Sequence, residues 1–169
     1  MNLQHLLLPL SFSQWCERSL LGHSVKYSRW EFAILETFHI IGITVLLGST
    51  LVVDLRLLGF SMRQISAAQL AREFAPWSWA ALSFMFVTGI PMFLSEAVRM
   101  SLNSAFLFKM ILLCLALLIH FTIRRRATRP GAKENAGFGK LAACLSLMSW
   151  LSVALAGRAI AFFMTLNGA

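Results

Sequence analysis

The sequence predicts an all-α integral membrane protein, an up-down four-helix bundle preceded by a short N-terminal interfacial helix. Three observations carry this prediction. Hydrophobic residues fill 58% of the 169 positions and charged residues only 13%, about half the ~25% of an ordinary soluble domain. The mean hydropathy is +0.72. The charges also cluster, leaving four apolar runs at about 32–53, 75–95, 105–123 and 141–166, each close to the ~20 residues that cross a ~30 Å hydrocarbon core. Those runs take up so much of the chain that the expected organisation is a single transmembrane domain, residues 1–169.

Taken in order, the first 30 residues are too polar to span. They lack a basic start, and Pro9 interrupts their apolar run, so no signal peptide is expected. Ser13 to Gly22 sets Trp15 and apolar residues beside Glu17 and Arg18, a pattern for a helix lying in the membrane interface. Tyr27 and Trp30 form an aromatic anchor before the first span. That span closes at Gly59, a helix-stop residue. Gln64 to Phe74 reads as a separate amphipathic piece, and Trp77 and Trp79 anchor the second span. Gly89 and Pro91 inside that span predict a kink. Asn103 or Ser104 caps the third span, and the run from Arg129 to Gly139 is a polar turn before the fourth. Gly42, Gly48 and Ser49 on the first span, with Ala154, Ala156 and Gly157 on the fourth, are small enough for close helix contact.

The net charge of +8 sits where a membrane protein needs it. Arg56, Arg63 and Arg72 follow the first span, and Arg124, Arg125, Arg126, Arg129, Lys133 and Lys140 lie between the third and fourth. The positive-inside rule places both connections in the cytoplasm and both termini outside, periplasmic in a bacterial inner membrane. Anionic lipid headgroups account for the basic loops; nucleic acid is not an expected partner. The three cysteines show no paired spacing and read as packing residues.

An ionisable residue within hydrocarbon costs from ~2.5 kcal/mol upward at the centre, so it needs a partner or a task. Glu36, His39, Lys109, His120 and Arg158 lie inside the spans, and Asp54 and Glu96 near their ends. Glu36 and His39 share a helix face. Asp54, five turns on, returns to it, while Arg56 points away, towards headgroups. Lys109 and His120 share a face of the third span, and Met85, Gly89, Met92 and Glu96 form one stripe on the second. Glu36, His39, Met92, Glu96, Lys109 and Arg158 fall in the outer half; Asp54, His120 and Arg124 fall in the inner half. The outer set is either a self-neutralising ion-pair network or a polar pocket. In a pocket, His39 is the ligand or proton carrier, and Lys109 and Arg158 bind an anionic group.

Histidines in a four-helix membrane bundle raise haem as a cofactor, because neutral imidazole ligates iron. His39 and His120 are both candidate metal ligands. Their levels differ by roughly 13 Å at 1.5 Å per residue, too far to share one haem. His39 would then pair with Met92 or Met110, and Lys109 or Arg158 with the propionates. His5 and His23 precede the first span. Copper handling through Met85, Met92, Met110 and His39 is a second chemistry, though no Met-x-x-Met or His-x-His cluster is present. Glu36-Thr37-Phe38-His39 is a single copy of the Glu-x-x-His element that di-iron bundles use twice.

The run Trp30-x5-Glu36-x2-His39-x2-Gly42, then Gly48 and Asp54-Leu55-Arg56-Leu57-Leu58-Gly59, resembles an uncharacterised family of small four-helix bacterial membrane proteins. Phe106-x2-Lys109 and Gly157-Arg158-Ala159-Ile160-Ala161-Phe162 extend the resemblance to the third and fourth helices. It implies a four-helix fold, marks His39, Asp54, Arg56, Lys109 and Arg158, and supplies no activity. A fainter likeness to membrane cytochromes b and copper-resistance proteins is architectural, and fold does not imply function.

The leading expectation is therefore a membrane subunit without independent catalytic activity. Its outer-half site at Glu36, His39, Lys109 and Arg158 holds a b-type haem and transfers electrons, or docks a periplasmic redox partner. Asp54 and Arg56 form an inner-side polar set. Lipids, a redox or other membrane-protein partner and an oligomer are all compatible with this picture. A small metal or weak-acid transporter and a purely structural assembly subunit are the alternatives. No Ser-His-Asp set, P-loop, Rossmann glycines or zinc spacing supports soluble-type enzymology.

Overall fold

The computed structural model describes residues 9–60, 62, 64–129 and 136–167; His5, Arg63, Lys133 and most of the polar turn before the fourth span lie outside them. Among the described residues every regular element is helical. The long elements are α3 (Glu31–Leu58), α4 (Ala67–Ser95), α6 (Ser104–Ile119) and α8 (Ala136–Asn167), with short helices α1 (Leu10–Arg18), α2 (Leu20–Tyr27), α5 (Ala97–Ser101) and α7 (Arg125–Ala127) between or before them. A π-helical turn, His120–Arg124, joins α6 to α7. Four helices are long and apolar enough to cross a membrane: Glu31–Leu58, Ala67–Ser95, Ser104–Ala127 and Gly137–Ile160.

The helix ends follow their local chemistry. Asn103 caps α6 by accepting from the Ala105 amide at 2.9 Å, and Ser66 caps α4 by accepting from the Gln69 amide at 3.1 Å. Gly59 ends α3 in the left-handed region, φ 84°, which a residue with a Cβ adopts only at a cost. Most of the amphipathic piece at 64–74 forms the first turns of α4, which begins at Ala67 and runs on through Pro76 and Pro91.

The bundle is built as an open chain of contacts. α3 packs on α4 and α8, and α8 packs on α6, whereas α4 and α6 hardly touch. Aromatic pairs bridge that gap at its two ends, Phe93–Phe106 (ring centroids 5.4 Å apart, nearly parallel) and Trp79–Phe121 (5.2 Å). The packed centre is Leu46, Ala81, Met85, Ala116, Trp150 and Val153. Gly42 brings α3 against α4, where a Cβ would meet Met85 Cγ at 3.0 Å, and Ser49 and Ser78 hydrogen-bond across the same interface at 2.9 Å. Gly48 has nothing within 4 Å of its Cβ position, so it is not a packing glycine. Outward faces carry Val87, Ile111, Leu118, Met148 and Leu155, all more than half exposed. Each such side chain gains roughly 1.5–3 kcal/mol on leaving water, and apolar faces of this extent suit hydrocarbon. The chain thus has the build of a multi-pass membrane protein.

The N-terminal segment is two helices rather than one, because Ser19 ends α1 and caps α2 by accepting from the Gly22 amide at 3.1 Å. Both fold onto the bundle, α1 against α5 and α2 against α4. Glu17 ties them down: one carboxylate oxygen accepts from the Val98 amide at 2.9 Å, and the other pairs with Lys26. That hydrogen bond holds the Lys26 ammonium above its ordinary pKa. At Gly22 a Cβ would sit 2.6 Å from the Cys16 carbonyl oxygen and 2.8 Å from that of Leu94, so only glycine permits this approach.

Candidate functional site

A cavity of about 1210 Å³ opens between α3, α4, α6 and α8 at the end of the bundle that carries α5. It exceeds the ~300–1000 Å³ usual for small-molecule sites. Glu36, His39, Met92, Lys109 and Arg158 all line it, with Glu96 and Met110, among walls that are mainly apolar. Helical periodicity explains the convergence: positions predicted to share faces on separate spans are turned to the same space.

His39 is held in one orientation. Its Nδ1 lies 2.9 Å from Thr88 Oγ1 on α4. The Thr88 hydroxyl also lies 2.9 Å from the Phe84 carbonyl of its own helix. The imidazole further hydrogen-bonds the Met85 backbone, so α4 holds the ring at two points. Gly89 makes the room: a Cβ there would meet His39 Cε1 at 3.1 Å. An imidazole whose other nitrogen is fixed by a hydrogen bond is the arrangement of metal-bound histidine. Sequence reasoning missed Thr88 as a functional residue. The available signal was its place one residue before Gly89, beside the Met85–Met92 stripe.

Glu36, Lys109 and Arg158 do not neutralise each other in this cavity. The ion pairs among the described residues are Lys26–Glu17, Arg99–Glu96 and Arg124–Asp54. Glu36, Lys109 and Arg158 are in none of them, so the ion-pair network that was one reading of the outer set does not form. Lys109 extends over Gly157, with Nζ 3.7 Å from where a Cβ would stand, and Arg158 is exposed. Glu96 pairs with Arg99 on its own turn, at 3.2 Å.

The other polar residues belong to the arginine-rich end. Asp54, fully buried, accepts from Arg124 Nε at 3.0 Å. The buried Ser146 hydroxyl stands beside this carboxylate as a second hydrogen-bond donor. Arg56 points away from Asp54, and its Nε donates to the Ile65 carbonyl at 2.5 Å, tying the α3–α4 connection to the helix end. His120 lies edge-on to Trp150 and Phe121, its buried Nδ1 without a hydrogen-bond partner. It lines a second cavity of about 550 Å³. The two histidines are thus not brought together; Leu82 and Trp150 are the residues that line both cavities and stand between them. Among the described residues no three His, Cys, Asp or Glu side chains gather as a metal site.

No curated protein and no solved structure matches the chain. One family profile does, over residues 12–163, and by that match the chain belongs to DUF6644, a family of unknown function.

Proposed function

We propose that the protein is an electron-transferring membrane subunit that holds a b-type haem in the larger cavity, where His39 would be the residue that binds its iron. One observation carries this reading: the His39 imidazole is fixed through Nδ1 by Thr88, 2.9 Å away, on the wall of a cavity large enough for a macrocycle. The lining fits the group. Apolar walls suit a porphyrin face, the Met92 and Met110 thioethers are at hand as a second ligand, and Lys109 and Arg158 are cations without a carboxylate partner that match propionates. Bound haem would supply one-electron chemistry; the chain's part is to orient the imidazole and keep water away.

In this reading the chain is one transmembrane domain of a bacterial inner membrane, its arginine-rich end in the cytoplasm and both termini in the periplasm. The haem lies near the periplasmic side, where a redox partner docks. A transporter fits less well, because Leu46, Leu82 and Trp150 pack across the path between the two cavities.

The test is a haemin titration of the detergent-purified protein followed by absorption spectroscopy. Wild type and His120→Ala are expected to develop a Soret band at one equivalent, and His39→Ala is not. No band in wild type, or the same band in all three, refutes the assignment.

A further inference from the structure

The second cavity has a charge balance that the haem reading does not use. Of the four arginines on its wall, Arg124 is satisfied by Asp54 at 3.0 Å. Arg72, Arg125 and Arg129 have no acidic partner among the described residues. Three guanidinium groups with no carboxylate partner among the described residues therefore line one opening. Beneath them the wall turns apolar, with Leu82, Leu117 and Phe74. The side of the cavity is the gap between α4 and α6, spanned at this end by the Trp79–Phe121 pair. Trp79 is itself more than half exposed on the outer face. The π-helical turn contributes to the charge: the consecutive residues Arg124 and Arg125 both reach this wall, one towards Asp54 and one left for a ligand. Such turns recur at functional sites.

We infer that this cavity is a specific site for an anionic glycerophospholipid, its phosphate held by Arg72, Arg125 and Arg129 and an acyl chain laid along the α4–α6 gap. Guanidinium groups bind phosphate oxygens in a forked geometry that an ammonium cannot match. Both halves of the cavity are needed to decide the ligand. A free phosphate satisfies the arginines and leaves the apolar floor bare, and a neutral lipid does the reverse. The site is separate from the His39 cavity, divided from it by Leu82 and Trp150, and its occupancy does not depend on haem.

Native mass spectrometry of the full chain in mild detergent tests this, counting lipids retained from mixed micelles of phosphatidylglycerol and phosphatidylcholine. Wild type is expected to retain one phosphatidylglycerol in clear preference to phosphatidylcholine. Arg125→Gln/Arg129→Gln, at exposed positions outside the packed core, is expected to lose that preference by about fivefold per arginine. Arg126→Gln/Lys140→Gln removes as much charge from the same end at residues that do not line the cavity, and is expected to keep it. Equal loss in the two double variants, or no preference in wild type, overturns the proposal by reducing it to general attraction to a basic surface. Complete displacement of the lipid by millimolar inorganic phosphate overturns the lipid assignment in favour of a free anion.

Discussion

Thr88 of α4 hydrogen-bonds Nδ1 of His39 on α3, 2.9 Å away, and thereby fixes the imidazole on the wall of the larger cavity. The same hydroxyl lies 2.9 Å from the Phe84 carbonyl, so Thr88 is itself held against its own helix.

Thr88→Val keeps the shape and removes the hydroxyl. Cofactor affinity is expected to fall about 10–100-fold, the usual effect of losing the group that orients a metal-binding histidine, while Thr88→Ser retains it. Haemin titrations of the two variants measure the difference.

Lys109→Met and Arg158→Gln each remove a cavity charge without an ion-pair partner. Because neither charge supports another side chain, thermal stability in detergent is expected to stay the same or rise for Lys109→Met. Haem retention is expected to drop about 10–100-fold, as for a lost hydrogen bond to a charged group. Equal losses of stability in both variants would mean that the charges serve the fold.

Asp54 and Arg124 form a buried pair, so breaking it from one side leaves a charge stranded. Arg124→Met alone is expected to destabilise by about 3–5 kcal/mol. The double change Asp54→Leu/Arg124→Met is expected to recover most of that, because it removes both charges together. Unfolding midpoints of the three proteins in the same detergent check this.

The N-terminal helices are expected to release at high pH. Lys26 has a folded-state pKa raised above the ordinary 10.5 by Glu17, so the pair contributes fully below that value and is lost as pH rises through the folded one. Limited proteolysis of α1 and α2 is expected to be constant from neutral pH to near 10 and to accelerate above it. Glu17→Gln is expected to be cut faster at every pH, since it weakens the pair and the bond to the Val98 amide together.

Much of this was legible before the coordinates. Apolar length alone places the four long helices, and 3.6-residue periodicity puts Glu36, His39, Lys109 and Met92 on faces that the structure turns to one cavity. Depth along the spans likewise separates them from Asp54 and His120. What periodicity cannot supply is which helices touch. The open α4–α6 side, bridged by Phe93–Phe106 and Trp79–Phe121, depends on long-range packing, and so does the choice of Arg124 as the partner of Asp54. The bond from Arg56 to the Ile65 carbonyl is likewise outside periodicity, because a long side chain at a helix end is free to turn to the connecting loop. Thr88 was passed over because a threonine in a span usually bonds its own helix; here it does that and hydrogen-bonds His39 as well.

The most direct test of His39 as the ligand is chemical rescue. His39→Gly removes the imidazole and opens space that free imidazole can enter. Haemin-loaded His39→Gly is expected to show no ligated Soret band, and to regain it, saturably, as imidazole is added. A band that survives the substitution, or one that imidazole does not restore while the helical signal stays intact, would contradict the account.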